Sequence, residues 1–110
     1  MALSLALPTQ LLCQGTSPES WAVTTVRASL KSDLRNLLTA QEEFFADNNT
    51  FAQSLRQLRD TYRPSAGVTI VILTSSNTGH SEIAISDRVP GLVCGMWVGN
   101  APAPLGKGEE

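Results

Sequence analysis

The chain has 110 residues, 42% of them apolar and 16% charged, with a formal net charge of -2 and a pI near 5.3. That length fits one domain, which on folding buries roughly two-thirds of its accessible surface and so builds one core. The apolar share is not that of a disordered chain, and the slight acidic excess argues against a dedicated nucleic-acid binder, which carries a basic excess.

The first stretch, MALSLALPTQLL from Met1 to Leu12, is mostly apolar and interrupted by Pro8. It is too short for a membrane-spanning helix, which needs about 20 apolar residues. A signal peptide needs a positive leading region, and no Lys or Arg precedes Arg27. LLCQ is only loosely like a lipoprotein cleavage site, since small residues are missing just before Cys13. Residues 1–17 are therefore read as an apolar N-terminal segment, either a weak targeting signal or the remnant of a longer apolar helix.

Gly15 to Glu19, GTSPE, is punctuation. Ser17 ahead of Pro18 suits a helix start, and Ser20 is a second candidate cap. Val23, Val26, Leu30, Leu34, Leu37, Gln41 and Phe44 then recur at steps of three or four, with Leu38 and Phe45 widening the stripe. Arg27, Lys31, Asp33, Arg35, Asn36, Glu42 and Glu43 fill the wet face. The spacing predicts one helix from about Pro18 to Ala46, long for a small domain, where three turns are typical.

Asp47, Asn48, Asn49 and Thr50 end it, because such side chains bond their own backbone and tolerate left-handed geometry. Asn48-Asn49-Thr50 also matches a glycosylation acceptor, a triplet common by chance. Phe51, Leu55 and Leu58 fit a short second helix folding back on the first. Arg56, Arg59 and Arg63 lie close together there, as a solvated face or a local basic patch.

At Pro64 the period changes from 3.6 to 2. Val68–Leu73 (VTIVIL) reads as a β-branched strand with Val68, Ile70 and Ile72 on one face. Ser81–Ser86 alternates, Ser81, Ile83 and Ile85 against Glu82, Ala84 and Ser86. Leu92–Val98 makes a third strand, with Cys94 and Trp97 on opposite faces. Short connections predict an antiparallel meander. The expected fold is α+β, a long helix packed against a small antiparallel sheet over residues 18–98. Leu34, Leu37, Leu38 and Phe45 are expected to meet Val68, Ile70, Ile72, Ile83 and Ile85. Gly99–Glu110, rich in Pro, Gly and charge, is expected to be a mobile tail.

No dense group of acids, bases or ligands points to catalysis, a cofactor or a metal. Cys94 and His80 would be the one nucleophile and base pair, against the plain alternative of a strand thiol and a turn histidine. Cys94 is expected to be structural and buried on the last strand, as a free thiol or bonded to a cysteine outside this chain. A bond to Cys13 would require the N-terminal segment to fold back along the helix, because bonded Cα atoms lie within about 7 Å.

The run LKSDLRNLLTAQEEFFADNNTF, Leu30 to Phe51, resembles the helix and following turn of bacterial type IV pilins. Many members carry a similar SDLRNL-x-x-AQE-x-[FY]-[FY]-A-D-N-x-x-[FY] string. SAGVTIVI, a Gly-led second strand and VCGMWVGNAPAP are similar to that family's strand order, so the likeness spans roughly Val26 to Pro104. The leader, peptidase site and early glutamate of the family are not seen here, and LSLALPTQ resembles only the back half of its apolar helix. The family often pairs the cysteine of the last strand with one near the C-terminus, whereas Cys94 has no downstream partner.

The resemblance implies assembly and no enzymatic activity. It would make the chain a structural subunit of a type IV pilus-like or type II secretion filament, packing by its helix with the globular domain outward. Its partners would be homologous subunits, and the inner membrane in a full-length form before assembly. It would sit in the bacterial cell envelope, then in an extracellular pilus or periplasmic pseudopilus, with no small-molecule substrate and no cofactor. The alternative is a minor, pilin-like binding module contacting DNA, a surface or a secreted substrate through Arg56, Arg59 and Arg63.

Overall fold

The computed structural model describes residues 7–15 and 20–105. One helix, α1 (Trp21–Asn48), packs on a four-stranded antiparallel sheet made of β1 (Thr9–Gln14), β2 (Val68–Ser75), β3 (Gly79–Ser86) and β4 (Val93–Gly99). The strand order is β1-β4-β3-β2. The fold is α+β, and β2, β3 and β4 form the meander expected from the short turns between them.

The local sequence accounts for the limits of α1. Its 28 residues contain neither Gly nor Pro. Ser20, the second of the two candidate caps, accepts a hydrogen bond from the Val23 N–H at 3.2 Å. The expected start at Pro18 lies outside the described residues. At the far end the helix runs two residues past Ala46, and Asn49 closes it in left-handed geometry (φ 61°), donating its N–H to the Phe45 carbonyl. Val23, Val26, Leu30, Leu34 and Leu37 form the buried stripe, extended by Ala40 and Gln41.

Between helix and sheet, Phe51, Ala52, Leu58 and Tyr62 are buried. The expected second helix is a single 3-10 turn, Leu55–Leu58. The Tyr62 hydroxyl donates to the Asp33 carbonyl at 2.8 Å, while the Asp33 carboxylate accepts from the backbone N–H and hydroxyl of Ser65 at 2.9 and 2.8 Å. Asp33, assigned to the wet face by spacing, is therefore buried and ties the linker to the helix.

Three expectations are corrected. Part of the apolar N-terminal segment, Thr9–Gln14, is an edge strand paired antiparallel with β4, not a helical remnant. The described part of the sheet thus gains a strand ahead of Val26. That strand places Cys13 opposite Cys94, and the two are bonded, with Cα atoms 3.9 Å apart. Cys94 is buried and structural as expected, but its partner is Cys13. The N-terminal segment reaches it along the sheet edge.

The third correction is the face of β3. Ile83 is half-buried and Ile85 is 45% exposed; Glu82, Ala84 and Ser86 point at the helix. Register explains the inversion. Val68, Ile70 and Ile72 do face inward, and they pair with Ser86, Ala84 and Glu82 respectively. Directly paired residues share a sheet face, so the isoleucines of β3 must face out. Leu34 and Leu37 are fully buried and Ile70 nearly so; Leu38, Val68 and Ile72 pack half-buried at the rim. Phe45 is half-buried and meets Phe51, with ring centroids 4.8 Å apart. Leu92, Cys94, Met96 and Val98 complete the inner face from the last strand and its approach.

Beyond β4 the chain reverses at Gly99, whose φ of +66° favours glycine. Ala101–Leu105 then lies back on the outer face of the sheet, with Pro104 and Leu105 over Gly95. The segment expected to be mobile is folded as far as Leu105, and 106–110 lie outside the described residues.

Candidate functional site

Strands and helix bring together one polar cluster that spacing alone did not reveal. His80 and Glu82, two residues apart on β3, both point inward and have no solvent exposure. His80 Nδ1 lies 2.6 Å from Glu82 Oε2. Gln41, on the buried stripe of α1, donates to the same Oε2 at 3.3 Å and to the Ala52 carbonyl at 3.1 Å. Its Oε1 accepts from the Ala52 N–H at 2.7 Å. Phe51 covers the imidazole, centroid to centroid at 4.5 Å. His80 Nε2 and Glu82 Oε1 have no protein partner.

A buried imidazole and carboxylate at hydrogen-bond distance would suit proton transfer if substrate could reach them. Here helix, linker and sheet enclose both side chains. The cluster joins three elements, α1, the Phe51–Ala52 segment and β3, at one point. Nearby burial, then the Asp33 and Glu82 carboxylates, push the Tyr62 hydroxyl well above the ordinary phenol range.

The sequence-predicted site residues fall elsewhere. His80 and Cys94 form no nucleophile–base pair, since Cys94 is in the disulfide and His80 is engaged by Glu82. Arg56, Arg59 and Arg63 are all exposed on the linker, with the exposed Asp60 among them. No group of three or more His, Cys, Asp or Glu side chains among the described residues is arranged to hold a metal ion. No described helix is long and apolar enough to cross a membrane.

What the surface offers instead is apolar. Val71 on β2 and Ile85 on β3 are 44% and 45% exposed on the outer face, and Leu73, at the register shift of β2, is 46% exposed. β2 pairs only with β3 among the described residues, so its other edge presents free N–H and C=O groups. Val68–Ser75 contains no charge and no proline, two of the devices that usually protect such an edge, though its register shifts at a bulge between Ile72 and Thr74. The period-2 pattern of β3 was a signal for this face, but its sense was misassigned.

No family model matches the chain, and no curated protein matches it.

Proposed function

We propose that the chain is a structural subunit that works by association with copies of itself, in a type IV pilus-like or type II secretion filament. The observation that carries this is the distribution of chemistry over the described residues: the His80–Glu82 pair is sealed from solvent, while apolar side chains and an uncharged strand edge face out. Ser20 caps α1, and the described segment before it, Thr9–Gln14, is a strand, so among the described residues the exposed sheet surface is the one this proposal draws on. The disulfide suits an oxidising compartment and hence the cell envelope outside the cytoplasm. The similarity of Leu30–Phe51 to pilin helices supports the same reading.

The test is sedimentation and negative-stain microscopy of the oxidised chain, beside a Val71→Lys, Leu73→Lys variant. The expected result is concentration-dependent polymers that the lysines abolish by charging the β2 surface. A chain that stays monomeric at every concentration, and is missing from sheared fibres of the cells that make it, would overturn the proposal.

A further inference from the structure

The outer face of β4 has a slot whose floor is Gly95. A Cβ built there would lie 2.8 Å from Pro104 Cγ and 3.2 Å from Leu105 Cγ, so the slot exists only because residue 95 is glycine. Its walls follow from register: Leu12 and Ile83 stand opposite Gly95 on the flanking strands, and Val93 and Trp97 lie two residues away along β4. A proline-bearing apolar segment seated among aromatic and aliphatic side chains is a common mode of peptide recognition. Here the seated segment is the chain's own Ala101–Leu105.

The attachment of that segment is one-sided. Asn100 and Ala101 donate to the Thr78 and Val98 carbonyls at 3.2 and 3.3 Å, but no hydrogen bond joins Pro102–Leu105 to the sheet among the described residues. Pro102 and Pro104 restrict the backbone of Ala101–Leu105, which bends at Pro104 and Leu105, and so lower the entropy lost on docking. Gly99, in left-handed geometry, is the pivot from which it could leave in another direction. Beside the slot lies the exposed apolar surface of Val71 and Ile85, Val71 directly paired with Ile83 of the slot wall.

We infer that the Gly95 slot is a docking site for the Ala101–Leu105 segment of a second copy of this chain, and that the seating seen here is its closed, intramolecular form. Exchange keeps the slot contacts, since each slot is refilled by the same residues, and gives up only the bonds at the turn, from the Asn100 and Ala101 N–H groups to the Thr78 and Val98 carbonyls. Reciprocal exchange closes a dimer; exchange passed from one copy to the next gives an open chain of subunits. The inference rests on the self-association proposed above and names the segment and slot that carry it.

Two full-length variants test it. Gly95→Val fills the slot and leaves the tail intact. Pro104→Asp with Leu105→Asp disables the tail and leaves the slot intact. Tail exchange predicts that each alone is monomeric by sedimentation and native mass spectrometry, while an equimolar mixture forms a species containing both. A mixture that stays monomeric, with both variants showing wild-type circular dichroism, overturns the inference. If either variant fails to fold, the readout moves to the otherwise unaltered chain, with a diazirine analogue of leucine at position 105 mixed with a ¹⁵N-labelled copy. Mixed-isotope crosslinks from residue 105 to Val93–Trp97 support exchange, and crosslinks confined to single chains refute it. Polymers undiminished by Gly95→Val would remove this inference and leave the filament proposal standing. A mixed dimer without polymers would do the reverse.

Discussion

Breaking the Cys13–Cys94 bond is the perturbation with the largest calculable effect. The cysteines are 81 residues apart, so the bond closes a loop that contains α1, β2 and β3. In the chain-entropy treatment, a loop of that length removes about 15 cal/mol/K from the unfolded ensemble, worth about 4.5 kcal/mol at 25 °C. Domains of this kind have about 5–15 kcal/mol of net stability, so reduction should remove a large fraction of it. The native state should change little, because β1 keeps its backbone pairing with β4 and the packing of Leu7 and Leu11 on the core. Urea unfolding of the oxidised chain, of the chain in reductant and of a Cys13→Ala, Cys94→Ala variant measures the difference. The expected result is a loss of about 3–5 kcal/mol in both perturbed forms, with a steeper denaturant dependence because the open chain exposes more surface when unfolded. Coincident transitions, or a loss under about 1 kcal/mol, would show that β1 does not close the sheet in solution.

Three further outcomes are expected. Leu37→Ala should cost about 2–5 kcal/mol in urea unfolding, whereas Ile85→Thr, on the outer face, should cost under about 1 kcal/mol; equal losses would contradict the face assigned to β3. Glu82→Ala should cost about 3–5 kcal/mol by leaving the buried His80 unpartnered, while Gln41 keeps its bonds to Ala52, and His80→Phe combined with Glu82→Met should recover much of it, a pattern read by a double-mutant cycle. Burial and the neighbouring carboxylates raise the Tyr62 proton affinity, so the folded chain keeps this proton where the unfolded chain loses it. Stability from this group is complete below the ordinary phenol range, near about pH 10, and falls as pH rises through it. Tyr62→Phe should flatten that alkaline loss in pH-dependent denaturation.

The long helix was legible because Val23, Val26, Leu30, Leu34 and Leu37 repeat over many turns without Gly or Pro, and such a signal depends only on near neighbours in the chain. The strands β2, β3 and β4 were legible, to within two residues at each end, for the same reason. Ser20 stood among two candidate caps and Asn49 within the Asp47–Thr50 stop, both from chemistry that acts over three or four residues.

Whatever depends on partners distant in the chain was settled by the tertiary structure. β1 is a mixed segment of six residues, TQLLCQ, whose strand character comes from the edge of β4. The same pairing places Cys13 against Cys94, a juxtaposition that no spacing along 81 residues encodes. The alternation of β3 defines two faces but not which one turns inward. Pairing Ile70 with Ala84 decides that, and Gln41 gives the inward Glu82 a partner while His80 engages it from the same strand. Periodicity is a property of one element, whereas the choice of face, the disulfide and the buried polar cluster each arise only where two or three elements meet.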